Sequence, residues 1–462
     1  MHVSDLQTNA PTAWAFLPYH ELLKLGRKDR EPLQLEALKL RFDKLRDRIP
    51  ALQILADKQG ITHIRSLDDA LALAFDHRVY KSYPMSLIEK RDFKRLTAWL
   101  QRLTTFDLST VPSEGLDSVD AWLDRLDQHG MVIGHSTGTT GKLSFVPRSR
   151  IEKPAWISSY FECFAAATGV DPRKTPMHSF FPGYNGGHHM MVKMVTMFAA
   201  ESLGGLDSHH TLYDYSVSSD LMSLAGRLQS AEDKGELQRL QIDSKLLEQR
   251  RELIERSRRR DADLEAWFLK MAQEYRGRQV RIGGTFADLT RIAVAGKAKG
   301  IKCSFAPGSV LVGGGGMKGY KQAPLDWERQ VKDFFGIEKM ASMYGMSEIM
   351  GNGPLCPEGY FHMPPYTIPV LVDTESRALP QTGVQQGRMA VFDLLADTYW
   401  GGSISGDKVT VHWDDDCRCG WAGPRVGRTI ERYSEAEGGD DKITCAGSAQ
   451  AYSEFMDYVT AI

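Results

Sequence analysis

The sequence predicts an α/β fold of layered sheets and helices, and three observations carry that expectation. From Val280 onward, short apolar runs end in glycine and alternate with helical stretches: 279–287 and 309–316 each read as strand then glycine turn, with helical spacing over 286–295 between them. Upstream, apolar residues recur at three and four, as in Leu35, Leu38, Phe42, Leu45 and Ile49, which is the spacing of a helix face. A hydrophobic content of 42% over 462 residues supports a large core and two or three lobes.

Charge and termini narrow the class. A formal net charge of -2 gives no field that would gather nucleic acid or an anionic membrane, so a small molecule or a protein is the expected partner. The first residues lack a basic stretch followed by an apolar run, and the most apolar helical stretch, 190–200, is broken by Lys193; neither an export signal nor a membrane span is expected. Six cysteines in such a chain do not make a disulfide framework, so a reduced, cytoplasmic protein is expected.

Taken in order, residues 1–130 read as a helical lobe, interrupted at Pro84 and resumed at Ser86. Met131-Val132-Ile133 reads as a short strand feeding a loop rich in glycine and hydroxyls, 135–147. There Gly138 and Gly141 permit close approach to an anion, while Ser136, Thr137, Thr139 and Thr140 supply hydroxyls and N–H groups for a triphosphate. The spacing is neither that of the Walker loop nor that of the dinucleotide fingerprint, and taken alone the segment also reads as a surface turn. Residues 156–167 read as a buried aromatic helix. The next stretch, 180–189, reads as an aromatic and glycine loop able to wall a pocket, with His188 or His189 facing a carboxylate or serving the fold. Long helices are expected over 219–278, their arginines either solvated or docking a partner protein.

The four glycines 313–316 would let a flat ligand lie on bare backbone, or form a flexible loop. After an amphipathic helix over 326–335, the run 340–348 offers an aromatic face, a glycine, a hydroxyl and a carboxylate suited to Mg²⁺. Strands are expected over 387–395 and 408–413, with Ser403 to Asp407 as a turn that presents one carboxylate to a ribose diol.

Four motifs in this order, Ser136-Thr-Gly-Thr-Thr-Gly141, Gly313 to Gly316, Tyr344-Gly-Met-Ser-Glu348 and Ser405-Gly-Asp407, resemble the series of the adenylate-forming (acyl-CoA synthetase) superfamily. Within it the layout is similar to phenylacetate-CoA ligases and to the acyl-protein synthetase of bacterial luminescence. The resemblance implies a large adenylate-forming N-terminal domain: 131–436 as core with a helical insertion at 219–278, and 437–462 as hinge and remnant of a nearly absent C-terminal domain. It implies that Ser136, Thr137, Gly138, Thr139, Thr140, Gly141 and Lys142 hold the ATP phosphates, and that Gly314, Gly315, Gly316 and Met317 with Tyr344, Gly345 and Met346 enclose adenine. Ser347 would contact phosphate or the substrate carboxylate, Glu348 would bind Mg²⁺, and Asp407 would hold the ribose. Phe181, Tyr184, Gly187, His188, Gly284 and Thr285 would line the acyl pocket. The hinge appears stretched, so either Arg428 or Arg432 stands before Asp440-Asp441.

The expected function is ATP-dependent activation of a small carboxylic acid as an acyl- or aryl-adenylate, passed to coenzyme A, a protein thiol or an amine, with a partner subunit as one way to replace the missing domain. The alternatives are an inactive ligase-like binding subunit and a different nucleotidyl or phosphoryl transferase. Cys356, His362, Cys417 and Cys419 together offer three sulfurs and an imidazole, a set that suits structural zinc as well as unligated thiols, and Cys445 reads as a plain thiol.

Overall fold

A computed structural model describes residues 6–137, 142–233, 235–236, 244–315, 317, 320, 323–433 and 447–461. The strands, in chain order, are β1 (Phe75–Asp76), β2 (His135–Thr137), β3 (Leu143–Phe145), β4 (His178–Gly187), β5 (His209–Val217), β6 (Val280–Thr285), β7 (Val310–Gly314), β8 (Met340–Ala341), β9 (Met343–Tyr344), β10 (Gly353–Pro354), β11 (Tyr360–His362), β12 (Thr367–Val372), β13 (Val384–Asp393), β14 (Gly402–His412) and β15 (Arg425–Arg432). The chain forms two compact units, one from Met1–Gly138, Lys142–Cys163 and Tyr344–Ile462, the other from Phe164–Met343.

The first unit is built on an antiparallel sheet in the order β11-β15-β14-β13-β12, with β1 added in parallel beside β14. Along β14 the residues Val409 and Val411 are buried while Lys408, Thr410 and His412 are partly exposed, the alternation of a strand with one face on the core. That core gathers Tyr344, Ile349, Phe361, Met363, Leu371, Met389, Val391, Trp413 and Val426 around them. The helix Arg27–Leu45 reads from its charges as solvated scaffold, yet Arg30, Gln34 and Arg41 are buried. They donate to the carbonyls of Met363 (3.0 Å), Pro365 (2.7 Å) and Leu394 (2.5 Å), so the helix is fixed to the sheet by polar side chains that satisfy loop backbone.

The second unit holds a parallel sheet in the order β5-β4-β6-β7-β8, the arrangement that strand–helix alternation predicts. Helices Ser244–Glu274, Phe286–Ala298 and Trp327–Phe335 bury Leu264, Phe268, Met271, Leu289, Ile292 and Phe334 with Val280, Ile282 and Leu311 of the strands. The arginines of the long helix are not all solvated: Arg260 pairs with Asp288 at 3.0 Å, and Arg256 lies 4.7 Å over the ring of Tyr215. Among the described residues no helix is long and apolar enough to cross a membrane.

Three local expectations are corrected. Met131 to Ile133 form no strand: their pairing with 148–150 stops at the single Met131–Ser149 bridge, where the Val132 amide donates to the Arg148 carbonyl at 2.8 Å, and the ladder begins at His135. The segment 180–187 is not a loop but the outer part of β4. Register shifts at Phe181/Tyr184 and Tyr184/Gly186 bracket Gly183 and adjoin Gly186, so its glycines mark irregularities in a pleated strand. Ser403 to Asp407 is no turn either. It lies within β14, where Ser405 Oγ donates to the carbonyl of Met389 at 2.9 Å, which lets a polar run occupy a buried central strand.

Candidate functional site

In the first unit the residues of three separate motifs meet. The Tyr344 hydroxyl donates to Asp407 Oδ2 at 3.1 Å, and Arg432 Nε lies 3.1 Å from Asp407 Oδ1. The backbone sets this up, since Asp407 on β14 stands directly opposite Arg432 on β15. That register also separates the two arginines. Arg428 is exposed and four residues back along the same strand, about 13 Å at the usual rise per residue, so Arg432 is the one at Asp407. Burial first, and Asp407 second, push the Tyr344 hydroxyl well above its ordinary range, which keeps it a donor. Gly345 is exposed, and Met346 packs on the core beside Tyr344.

Glu348 is partly buried and within electrostatic reach of Arg148, Arg432 and Asp407; burial is the main cause that raises its carboxyl above the usual range. Arg148 is the residue that sequence reasoning missed. It is fully buried, its guanidinium lies 4.6 Å over Trp156 and 5.7 Å over Tyr399, and Nη2 donates to the Ser347 carbonyl at 2.5 Å. It thus holds the Ser347 carbonyl, and only its place directly after the glycine–threonine stretch 135–147 hinted at it.

Behind them Asp393 accepts from the amides of Met350 (2.6 Å) and Leu395 (2.9 Å), anchoring the end of the same segment. Burial, against those two amides and the charges of Arg148 and Arg41, pushes its carboxyl up to about 6 from 3.8. A raised carboxyl pKa favours the protonated fold, so this group's contribution is best below pH 4 and is lost as pH rises through about 6. Urea unfolding between pH 4 and 7 should show the wild type losing of order 2–3 kcal/mol relative to Asp393→Asn over that window. Parallel pH profiles for the two proteins would exclude Asp393 as the source.

The hairpin of β2 and β3 pairs Ser136 with Ser144 and Thr137 with Leu143. Gly138, Thr139, Thr140 and Gly141, expected at phosphate, lie outside the described residues, as do Gly316, the Asp440-Asp441 pair and Cys445. Lys142 is half-buried with Nζ 4.8 Å over the ring of Tyr83; burial, then Lys81, lowers its amine to about 8.

In the second unit the expected residues gather at the carboxyl ends of neighbouring parallel strands, the edge at which such sheets bind ligands. Gly284 and Thr285 end β6, paired with Gly313 and Gly314 of β7, and Gly315 and Met317 follow. The glycines differ in use. A side chain at Gly313 would strike the Phe286 ring at 2.1 Å, so that position serves packing, whereas Gly314 has open space. Thr285 Oγ1 caps the helix after it, accepting from the Asp288 amide at 3.0 Å, which ties its hydroxyl to the fold. On β4, Tyr184 meets Tyr213 at a tilt at 5.2 Å and Tyr215 edge-on at 5.6 Å, Phe181 lies 6.5 Å from the His209 ring, and Gly187 ends the strand. His188 is buried, with Lys193 Nζ 3.3 Å from its Nδ1.

The first unit also brings Cys356, His362, Cys417 and Cys419 together, their ligand atoms all within 4.8 Å of one another. Burial lowers the His362 imidazole to about 4, so it stays neutral.

No protein-family profile and no curated protein matches the chain. Solved structures do. The luciferase-like enzyme from the nonluminescent Zophobas morio mealworm is 15% identical, with 72% of this chain and 62% of that one covered and a TM-score of 0.35. The amide bond synthetase McbA from Marinactinospora thermotolerans is 13% identical, with 70% and 52% covered and a TM-score of 0.34. The o-succinylbenzoate CoA synthetase of Bacillus subtilis, in complex with its acyl-adenylate intermediate, is 14% identical, with 64% and 48% covered and a TM-score of 0.33. The chain spans between 48% and 62% of their length.

Proposed function

We propose that this protein uses ATP to activate a small carboxylic acid as an acyl- or aryl-adenylate and then passes the acyl group to a thiol or an amine. The observation that supports this reading best is the meeting of Tyr344, Asp407 and Arg432, residues from distant motifs that the resemblance assigns to one nucleotide.

In this reading the Asp407 carboxylate is oriented by Tyr344 and Arg432 through one contact on each oxygen, and its remaining lone pairs accept from the ribose hydroxyls. The substrate carboxylate attacks the α-phosphorus in line; a bond from oxygen to phosphorus forms and the bond to pyrophosphate breaks, giving acyl-AMP and pyrophosphate. Arg432 brings positive charge beside the nucleotide, and Ser347 contacts phosphate or the acid. Glu348, a partly buried hard-oxygen donor beside Asp407, fits Mg²⁺, which when bound would offset charge on the departing pyrophosphate. Lys142 and the hydroxyls of Ser136 and Thr137 keep the phosphate role that the resemblance gives them. The residues at the β4, β6 and β7 strand ends likewise keep theirs, Gly314 to Met317 for adenine and Phe181, Tyr184, Gly187, His188, Gly284 and Thr285 for the acyl group. Coenzyme A, a carrier-protein thiol and an amine are the acceptors to be compared.

An exchange assay that follows labelled pyrophosphate into ATP, run over a panel of aryl and alkyl acids, tests the reading. Acid-dependent exchange with an acyl-AMP mass supports it. ATP binding without exchange for any acid favours a ligase-like partner subunit, and products other than AMP and pyrophosphate favour a different transferase.

A further inference from the structure

We propose that Cys356, His362, Cys417 and Cys419 bind one zinc ion in a closed, structural site. The proposal stands on the geometry of these four residues and does not depend on the nucleotide reading.

The distances are those of ligands around a shared ion. Tetrahedral zinc, with sulfur at about 2.3 Å and nitrogen at about 2.0–2.1 Å, separates two sulfurs by about 3.8 Å and a sulfur from a nitrogen by about 3.6 Å. Here Cys356 Sγ and Cys417 Sγ are 4.0 Å apart, and Cys419 Sγ is 3.4 Å from His362 Nε2. A disulfide needs its sulfurs about 2.05 Å apart and would leave the third thiol and the imidazole unexplained.

The backbone presents the sulfurs in two turns of the same form. In Cys356-Pro-Glu-Gly359 the Gly359 amide donates to the Cys356 carbonyl at 3.0 Å, and in Cys417-Arg-Cys-Gly420 the Gly420 amide donates to the Cys417 carbonyl, also at 3.0 Å. Both glycines hold φ of 83°, a left-handed conformation that side chains resist. Each turn also aims amides at sulfur: those of Glu358 and Tyr360 at Cys356, and that of Trp421 at Cys419 at 3.4 Å. Such amide contacts fix where each sulfur points. Trp421 meets the His362 ring edge-on at 5.4 Å and fixes its orientation.

Three sulfurs and one imidazole complete a tetrahedron, so no position remains for a reacting water, and this donor set selects zinc over magnesium or calcium. The ion would pin the turn before β11 to the connection between β14 and β15. The ladder between those two strands runs from the His412–Arg425 pair beside the site to the Asp407–Arg432 pair at its other end. Its role is therefore to hold a ladder in register.

Metal analysis of the full-length chain, purified without chelator, should give about one zinc per chain. Replacement by Co²⁺ should produce thiolate charge-transfer absorption and the intense visible bands of a tetrahedral site. Cys417→Ser with Cys419→Ser should lose the metal and become cleavable by protease within 413–424, whereas Cys163→Ser with Cys303→Ser should keep it. Should the double variant fail to fold, the wild-type zinc content and cobalt spectrum decide. Wild-type protein that takes up neither ion, with Cys356, Cys417 and Cys419 all open to alkylation, would overturn the proposal.

Discussion

Replacing Glu348 by glutamine should lower pyrophosphate exchange by at least about 10²-fold while leaving the thermal midpoint nearly unchanged. Glutamine keeps the volume and one carbonyl oxygen but removes the charge that the proposed magnesium role requires. Loss of one well-placed electrostatic partner of a developing charge costs roughly 10²–10³ in rate. Glu348 is a strong test because its surroundings do not require the charge for folding: burial raises its carboxyl, so the fold already disfavours the ionised form. Unchanged exchange, with unchanged dependence on magnesium concentration, would remove the assignment.

Arg148→Ala should destabilise the protein by about 3–5 kcal/mol, the usual cost of truncating a large, fully buried side chain. Arg148 faces the carboxyls of Glu348 and Asp393, and its guanidinium fills the space between Trp156 and Tyr399. Arg148→Met should recover part of the loss through packing of its stem, yet recover no exchange activity, because the bond to the Ser347 carbonyl is gone in both. Equal stabilities for the two variants would show that packing contributes nothing there. An active Arg148→Met would show that Ser347 and Glu348 do not depend on Arg148 for position. Chemical denaturation and exchange rates on the same preparations separate these outcomes.

The sequence was legible where a signal is local. The parallel sheet of the second unit follows from strand-then-glycine runs divided by helices, and β6, β7 and the helix Phe286–Ala298 lie close to where those runs place them. Asp407 and Tyr344, singled out by motif, meet in the structure, although Asp407 lies on a central strand rather than in a turn. What escaped was non-local. Glycine and aromatic residues in 180–187 signal a loop unless the neighbouring strand β5, which absorbs the irregular register, is known. Arg30, Gln34 and Arg41 look like solvent-facing residues because their partners are backbone carbonyls more than 300 positions away. Arg148 belongs to no periodic pattern at all. The choice between Arg428 and Arg432 needed the register of β14 against β15, which no spacing in the chain encodes.

The central claim is that Asp407, held by Tyr344 and Arg432, binds the nucleotide. Calorimetric titration of the full-length protein with magnesium and ATP, wild type beside Asp407→Asn, tests it without knowledge of the acid. The expected result is binding by the wild type that weakens at least about tenfold in the variant, the loss of one charge-assisted hydrogen bond. No binding by the wild type, or equal binding by both, would contradict the claim.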